Sequence, residues 1–266
     1  MFHDIVVPLD GSSLAECAIG PAGWIATECG ARLHLVRVHV RHEGSSSAED
    51  AVARAGVARY LHEMAGWLRE GSTHETLSEV LDGSPALAIA DYADRVNADL
   101  IVMTTHGRTG VERRRLGSVA SVVAHHVSCP VVLARGEPGE YVPRQAPLKR
   151  VVLAVDGTER AEDAHALALR LGTLGHPSFR IVYTLNRAAL PQLAHAGAAE
   201  DGAADSEERQ VTECAESYVC GIASRLRAAG LRAEILVSDM DDPARGLLDA
   251  AERDGADAII VMGQRH

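Results

Sequence analysis

Residues 103–120, "MTTHGRTGVERRRLGSVA", have the residue types to hold a phosphate group. Gly107 and Gly117 stand with nine residues between them, and Ser118 follows directly. A glycine lets backbone N–H groups approach an anion with no side chain in the way. A helix opening at Gly117–Ser118 adds unpaired N–H groups, the positive end of its dipole and a hydroxyl donor. The bridge between the glycines carries Arg108 and the run Arg113, Arg114 and Arg115. A second polar group, Asp10, closes an apolar run in "VVPLDGS". An anion cradle with one carboxylate suits recognition of a phosphate ester.

These groups meet only if the intervening elements bring them together. In residues 1–136, short β-branched runs ("DIVVPL", "LHLVRV", "TLSEVL", "DLIVMT", "PVVLAR") alternate with stretches of helical length and periodicity. Nearly continuous apolar strands separated by helices imply an α/β fold, an open parallel sheet covered on both faces. In such doubly wound sheets ligands bind beyond the carboxyl ends of the strands. Asp10 ends the first strand and the glycine loop follows the fourth, so neighbouring strands would place both at one crevice.

The pattern occurs twice. "DIVVPLDGSSLAECAI" at 4–19 returns as "RVVLAVDGTERAEDAH" at 150–165, and residues 77–106 return at 235–264. This predicts tandem domains at 1–136 and 150–266, joined by a Pro/Gly-rich linker at 137–149. The second copy keeps Asp156, and Gly263 stands where the first has Thr104, but no glycine loop, fourth helix or fifth strand follows. It is therefore expected to be truncated after its fourth strand and to build no phosphate cradle, leaving one nucleotide per chain. Residues 186–209 read as an acidic, mobile insertion.

Several of these residues also have plainer readings. Asp10 in "DGSS" can be a turn and helix cap, and Gly117–Ser118 can be only a helix start. The arginine run is read as a solvated loop. His106 has no carboxylate or nucleophile beside it in sequence and is read as positioning backbone. His34, His39 and His42 have no metal-site spacing. His125 and His126 would complement a helix dipole, and Trp24 and Trp67 would anchor their helices in the core.

The chain of 266 residues carries 26 basic and 37 acidic side chains, a formal net charge of -11, which argues against nucleic acid or an anionic membrane as partner. No apolar run is long enough to cross a bilayer, and the amino terminus does not read as a signal peptide. Five cysteines without CxxC spacing fit reduced thiols in the cytoplasm. Lys149 is the only lysine, which excludes a phosphate-binding P-loop lysine, and GxSxG, HxGH and SGGxDS signatures are absent. Nothing supplies a positioned base and nucleophile.

Over nearly its full length the chain resembles the tandem, UspA-like universal stress proteins. Nucleotide-binding members carry Gly-x2-Gly-x9-Gly-Ser/Thr after the fourth strand. Here Thr104 replaces the first glycine, while Gly107, Gly117 and Ser118 match. The resemblance implies ATP, with Mg²⁺, in the first domain. Pro8, Leu9, Asp10 and Val38 would border the adenine. Met103, Thr104, His106 and Gly107 would hold the ribose and first phosphate. Gly117, Ser118, Val119 and Ala120 would cradle the remaining phosphates. It also implies nucleotide-dependent stress signalling with slow hydrolysis at most. The alternatives are a partner-binding module without nucleotide, which Thr104 favours, and a weak ATPase. Members commonly join domains through their fifth strands, so a homodimer centred on Val131, Val132 and Leu133 is expected.

Overall fold

The computed structural model describes residues 2–41, 44–70, 72–105, 116–136, 139, 143–157, 161–184, 203–238, 240 and 242–263. The chain divides into two compact units, Met1–Leu148 with Val261–His266, and Lys149–Ile260.

In the first unit the elements are β1 (Asp4–Pro8), α1 (Ser13–Glu16), α2 (Ile19–Cys29), β2 (Arg32–His39), α3 (Ser47–Arg69), β3 (Thr76–Asp82), α4 (Pro85–Arg95), β4 (Leu100–Thr104), α5 (Ser118–His126) and β5 (Val131–Ala134). The strands are parallel, in the order β3-β2-β1-β4-β5. All five expected strands are present. β1, β4 and β5 are buried along their whole length, as their unbroken apolar runs require, whereas β3 mixes buried and exposed positions. The first helical stretch is split into α1 and α2. Pro21 has no N–H to give the carbonyl of Cys17 and its ring crowds that group, so a single helix cannot run through residues 17–18.

Val131, Val132 and Leu133 are at most 1% exposed in the single chain. They are core side chains of the single chain.

Where it is described, the linker segment packs on the first unit. Ala146 donates its N–H to the carbonyl of Gly20 at 2.8 Å, and Leu148 is buried. Arg144 bonds Glu70 at 2.8 Å and lies 5.1 Å over the Trp67 ring. Trp67 is therefore a half-buried platform for this segment, whereas Trp24 is buried in the core as expected.

The second unit contains β6 (Arg150–Val155), α6 (Ala161–Gly175), β7 (Ser178–Thr184), α7 (Ala203–Ala228), β8 (Ala233–Ser238), α8 (Pro243–Asp254) and β9 (Ala258–Val261). Its strands are parallel, with β9-β6-β7-β8 adjacent in that order. Residues 203–209, expected within the insertion, instead open α7, and their Ala and Glu content is a good helix composition. The rest of that insertion, residues 186–202, lies outside the described residues.

Strand register corrects one equivalence. In both units a carboxylate just before the later strand that pairs with the first (β4 beside β1, β9 beside β6) receives two N–H groups from the start of that first strand. Asp99 takes His3 and Asp4 at 2.7 and 3.1 Å, and Asp257 takes Lys149 and Arg150 at 2.7 Å each. Ile5 is level with Leu100, and Val151 with Ala258. Counting on from those pairs, Met262 and not Gly263 stands at the position of Thr104. The apolar runs "LIVM" and "AIIVM" differ by one residue, which hid the offset in the sequence.

Candidate functional site

The strand order reverses between β1 and β4, and the first unit has a crevice at their carboxyl ends with a volume of about 590 Å³. Its base is made by Pro8, Leu9 and Asp10 after β1, and by Met103, Thr104 and Thr105 after β4. β2 contributes Arg37, Val38 and His39, with Val40 just beyond. Ala53 and Val57 of α3 and Pro85 and Ile89 of α4 supply apolar walls, and Gly117, Ser118, Val119 and Ala120 at the start of α5 complete it. Of the twelve residues singled out from sequence, ten line this one space. The other two, His106 and Gly107, lie outside the described residues, as do Arg108 and Arg113–Arg115.

Each wall has a local cause. Gly11 has φ +83°, a turn conformation that favours glycine, and Asp10 Oδ1 accepts the Ser12 N–H at 2.9 Å and the Ser12 hydroxyl. The cap of α1 is Ser12, whose Oγ accepts from Ala15 N–H at 3.2 Å, so Asp10 shapes the turn and is not itself the cap. At the other end, Gly117 N–H bonds the Thr105 carbonyl at 2.7 Å. Among the described residues no side chain caps α5, so its first N–H groups are open to an acceptor in the crevice.

Sequence reasoning missed the polar face contributed by β2 and α3. His39 Nε2 lies 2.9 Å from Asp50 Oδ1, and the imidazole is buried. Asp50 is held there because Ser46 and Glu49 form a reciprocal capping box at the start of α3. The guanidinium of Arg37 sits 5.0 Å over the Tyr60 ring and against Gly11. Tyr60 donates its hydroxyl to Glu16 at 2.8 Å. Burial first, then that carboxylate, push the Tyr60 hydroxyl well above its ordinary range, so it stays a neutral donor. The capping signal "SSAE" was legible, but a pairing across the β2–α3 connection has no sequence signature.

Of the other histidines singled out from sequence, those that are described have structural partners. His34 bonds Asp4 and Tyr92, far from the crevice, at the amino ends of the strands. His125 and His126 turn Nδ1 to the carbonyls of Ser121 and Val122 at 2.7 and 2.8 Å in the last turn of α5. Among the described residues no group of three His, Cys, Asp or Glu side chains is placed to hold a metal ion, and no helix is long and apolar enough to cross a membrane. All five cysteines are free thiols.

Comparison with known proteins agrees with this fold. A sequence profile described as the universal stress protein family matches residues 1–135 and again 147–266. A universal stress protein of Methanocaldococcus jannaschii is 32% identical over 142 residues, 51% of this chain and 83% of that one. A Staphylococcus aureus relative is 31% identical over 153 residues, 54% of this chain and 92% of that one. A universal stress protein structure from Archaeoglobus fulgidus covers 95% of this chain, and 84% of its own, at a TM-score of 0.60 and 17% identity, a likeness of fold alone. With two family matches that together span most of its length, this chain belongs to the universal stress protein family.

Proposed function

We propose that the first unit binds ATP in this crevice and that nucleotide occupancy makes the protein a stress-response or signalling module. In this reading Pro8, Leu9, Asp10 and Val38 border the adenine. Met103 and Thr104, with His106 and Gly107, hold the ribose and first phosphate, and Gly117–Ala120 receive the outer phosphates. The observation that carries it is the uncapped start of α5, which forms a wall of the same crevice as Asp10. Helix starts of this kind are ready-made phosphate sites.

Mg²⁺ fits only as part of the nucleotide complex. Among the described residues Asp10 is the one carboxylate lining the crevice, and Mg²⁺ in such sites is held by one or two carboxylates together with phosphates and water. The protein is proposed to be cytoplasmic and to form a homodimer. Because Val132 is buried, Val132→Arg would test folding before association. Light scattering at micromolar concentration is the deciding measurement, and a monomer would overturn the dimer.

Calorimetric titration with ATP, AMP and GTP, with and without Mg²⁺, tests the function. Saturable binding of ATP in preference to GTP supports it. A second reading, a partner-binding module without nucleotide, is favoured by Thr104, a 7% exposed side chain at the end of β4. Absence of heat for all three nucleotides would select that reading.

A further inference from the structure

A second cavity, of about 310 Å³, lies wholly within the second unit at the opposite, amino ends of β6, β7 and β8. Arg150, Arg180 and Arg232 all line it. Comparison with the same place in the first unit shows why it is unusual.

The shared turn at Asp99 and Asp257 fixes the equivalence of Asp4 with Arg150. The registers Asp4↔Arg32 and Val6↔His34 in one unit, and Arg150↔Ser178 and Val152↔Arg180 in the other, then equate Arg32 with Ser178 and His34 with Arg180. In the first unit the place is filled from within. The Asp4 carboxylate takes Arg32 at 2.8 Å and His34 at 2.7 Å, and Tyr92 closes over His34 at 3.0 Å. In the second unit the strand's own carboxylate is gone, because Arg150 replaces it. By the same count from Asp99 and Asp257, Ala250 takes the place of Tyr92.

The acids that remain are both spent on one arginine. Arg180 bonds Asp254 through Nε at 2.6 Å and Nη2 at 3.2 Å, and Glu234 at 2.7 Å. Among the described residues, neither Arg150 nor Arg232 has a side-chain hydrogen bond or an ion pair. Two unclaimed guanidinium groups thus face one concavity in a protein whose net charge is -11.

We propose that this pocket binds a phosphate group, with Arg150 and Arg232 as its ligands and Arg180 held in place by Asp254 and Glu234. Planar guanidinium forks match phosphate oxygens in pairs, which a lone ammonium does not. The volume is at the small end for ligand pockets, which selects inorganic phosphate or a small phosphomonoester over a nucleotide. The site is separate from the proposed ATP crevice and does not depend on it.

The test uses the full chain, with inorganic phosphate and pyrophosphate as probes. Affinity is read by calorimetry, and location by the amide resonances of Ser178 and Arg232. Arg150→Gln and Arg232→Gln are suitable variants because both side chains are exposed, and thermal unfolding checks that each variant folds. Saturable shifts at those amides, weakened about tenfold in each variant and unchanged by Gly117→Val, are expected. Three results would overturn the proposal: no saturable binding, a loss as large in the exposed control Arg253→Gln, or binding abolished by Gly117→Val.

Discussion

Gly117 and Thr105 are joined by one backbone hydrogen bond of 2.7 Å, which fixes the start of α5 beside the end of β4. The N–H groups that face the crevice are therefore placed by the sheet. At φ -57° and ψ 144°, Gly117 has a backbone that other residues also adopt. If the crevice holds phosphates, the small size of Gly117 matters there and its conformational freedom does not. Gly117→Val should fold, and its side chain should occupy space the phosphates need. We expect ATP affinity to fall by more than the ~1–3 kcal/mol of one lost charged hydrogen bond. Equal affinity in calorimetry would remove α5 from the site.

Thr104 ends β4 with its side chain almost fully covered, at the place where the family pattern has glycine. If its methyl crowds the path of the ribose and first phosphate, Thr104→Gly should tighten ATP binding. The same change should cost about 1 kcal/mol of stability through the freer unfolded backbone. Weaker binding in the variant would show instead that threonine belongs to the site.

The parts of this molecule legible in sequence were those written in local pattern. Apolar runs gave every strand of the first unit, and the repeat gave the two units. The placement of Asp10 and Gly117 on one crevice followed from strand order in a doubly wound sheet. Contacts between side chains on different elements had no such signal. The His39–Asp50 pair, Arg37 over Tyr60, and Trp67 under Arg144 each depend on how a helix lies on the sheet. The docking of the linker segment on α2 had no such signal either. Its Pro/Gly-rich composition describes a chain without regular structure, not one without packing partners.

That packing can be tested at Gly23. A Cβ on this residue of α2 would lie 2.2 Å from the carbonyl oxygen of Arg144, a backbone atom that cannot step aside alone. Gly23→Ala gains helix propensity, which by itself would stabilise by about 1 kcal/mol. The clash should outweigh that gain, for a net loss of about 1–3 kcal/mol, by forcing residues 143–148 away from the helix. Thermal unfolding checks the sign. A higher midpoint would mean the linker segment does not dock on α2 in solution.

The amino-end cluster of the first unit yields a prediction in pH. Burial alone would raise the Asp4 carboxyl, but the hydrogen bonds and charges of Arg32 and His34 outweigh it and hold the group below its ordinary value of 3.8. A carboxylate whose folded value is depressed contributes stability that is fully present above the unfolded value and lost as pH falls through the folded one. The contribution is therefore complete at neutral pH and fades below about pH 4. Asp4→Asn keeps the size of the side chain and removes its charge, leaving Arg32 and His34 facing an amide. We expect the variant to be less stable by about 1–3 kcal/mol at pH 7. The difference should narrow as the wild-type carboxyl takes up its proton. Denaturant midpoints for both proteins between pH 7 and pH 3 measure this directly. A gap that stays constant across that range would mean that Asp4 acts through packing and hydrogen-bond shape, and not through its charge.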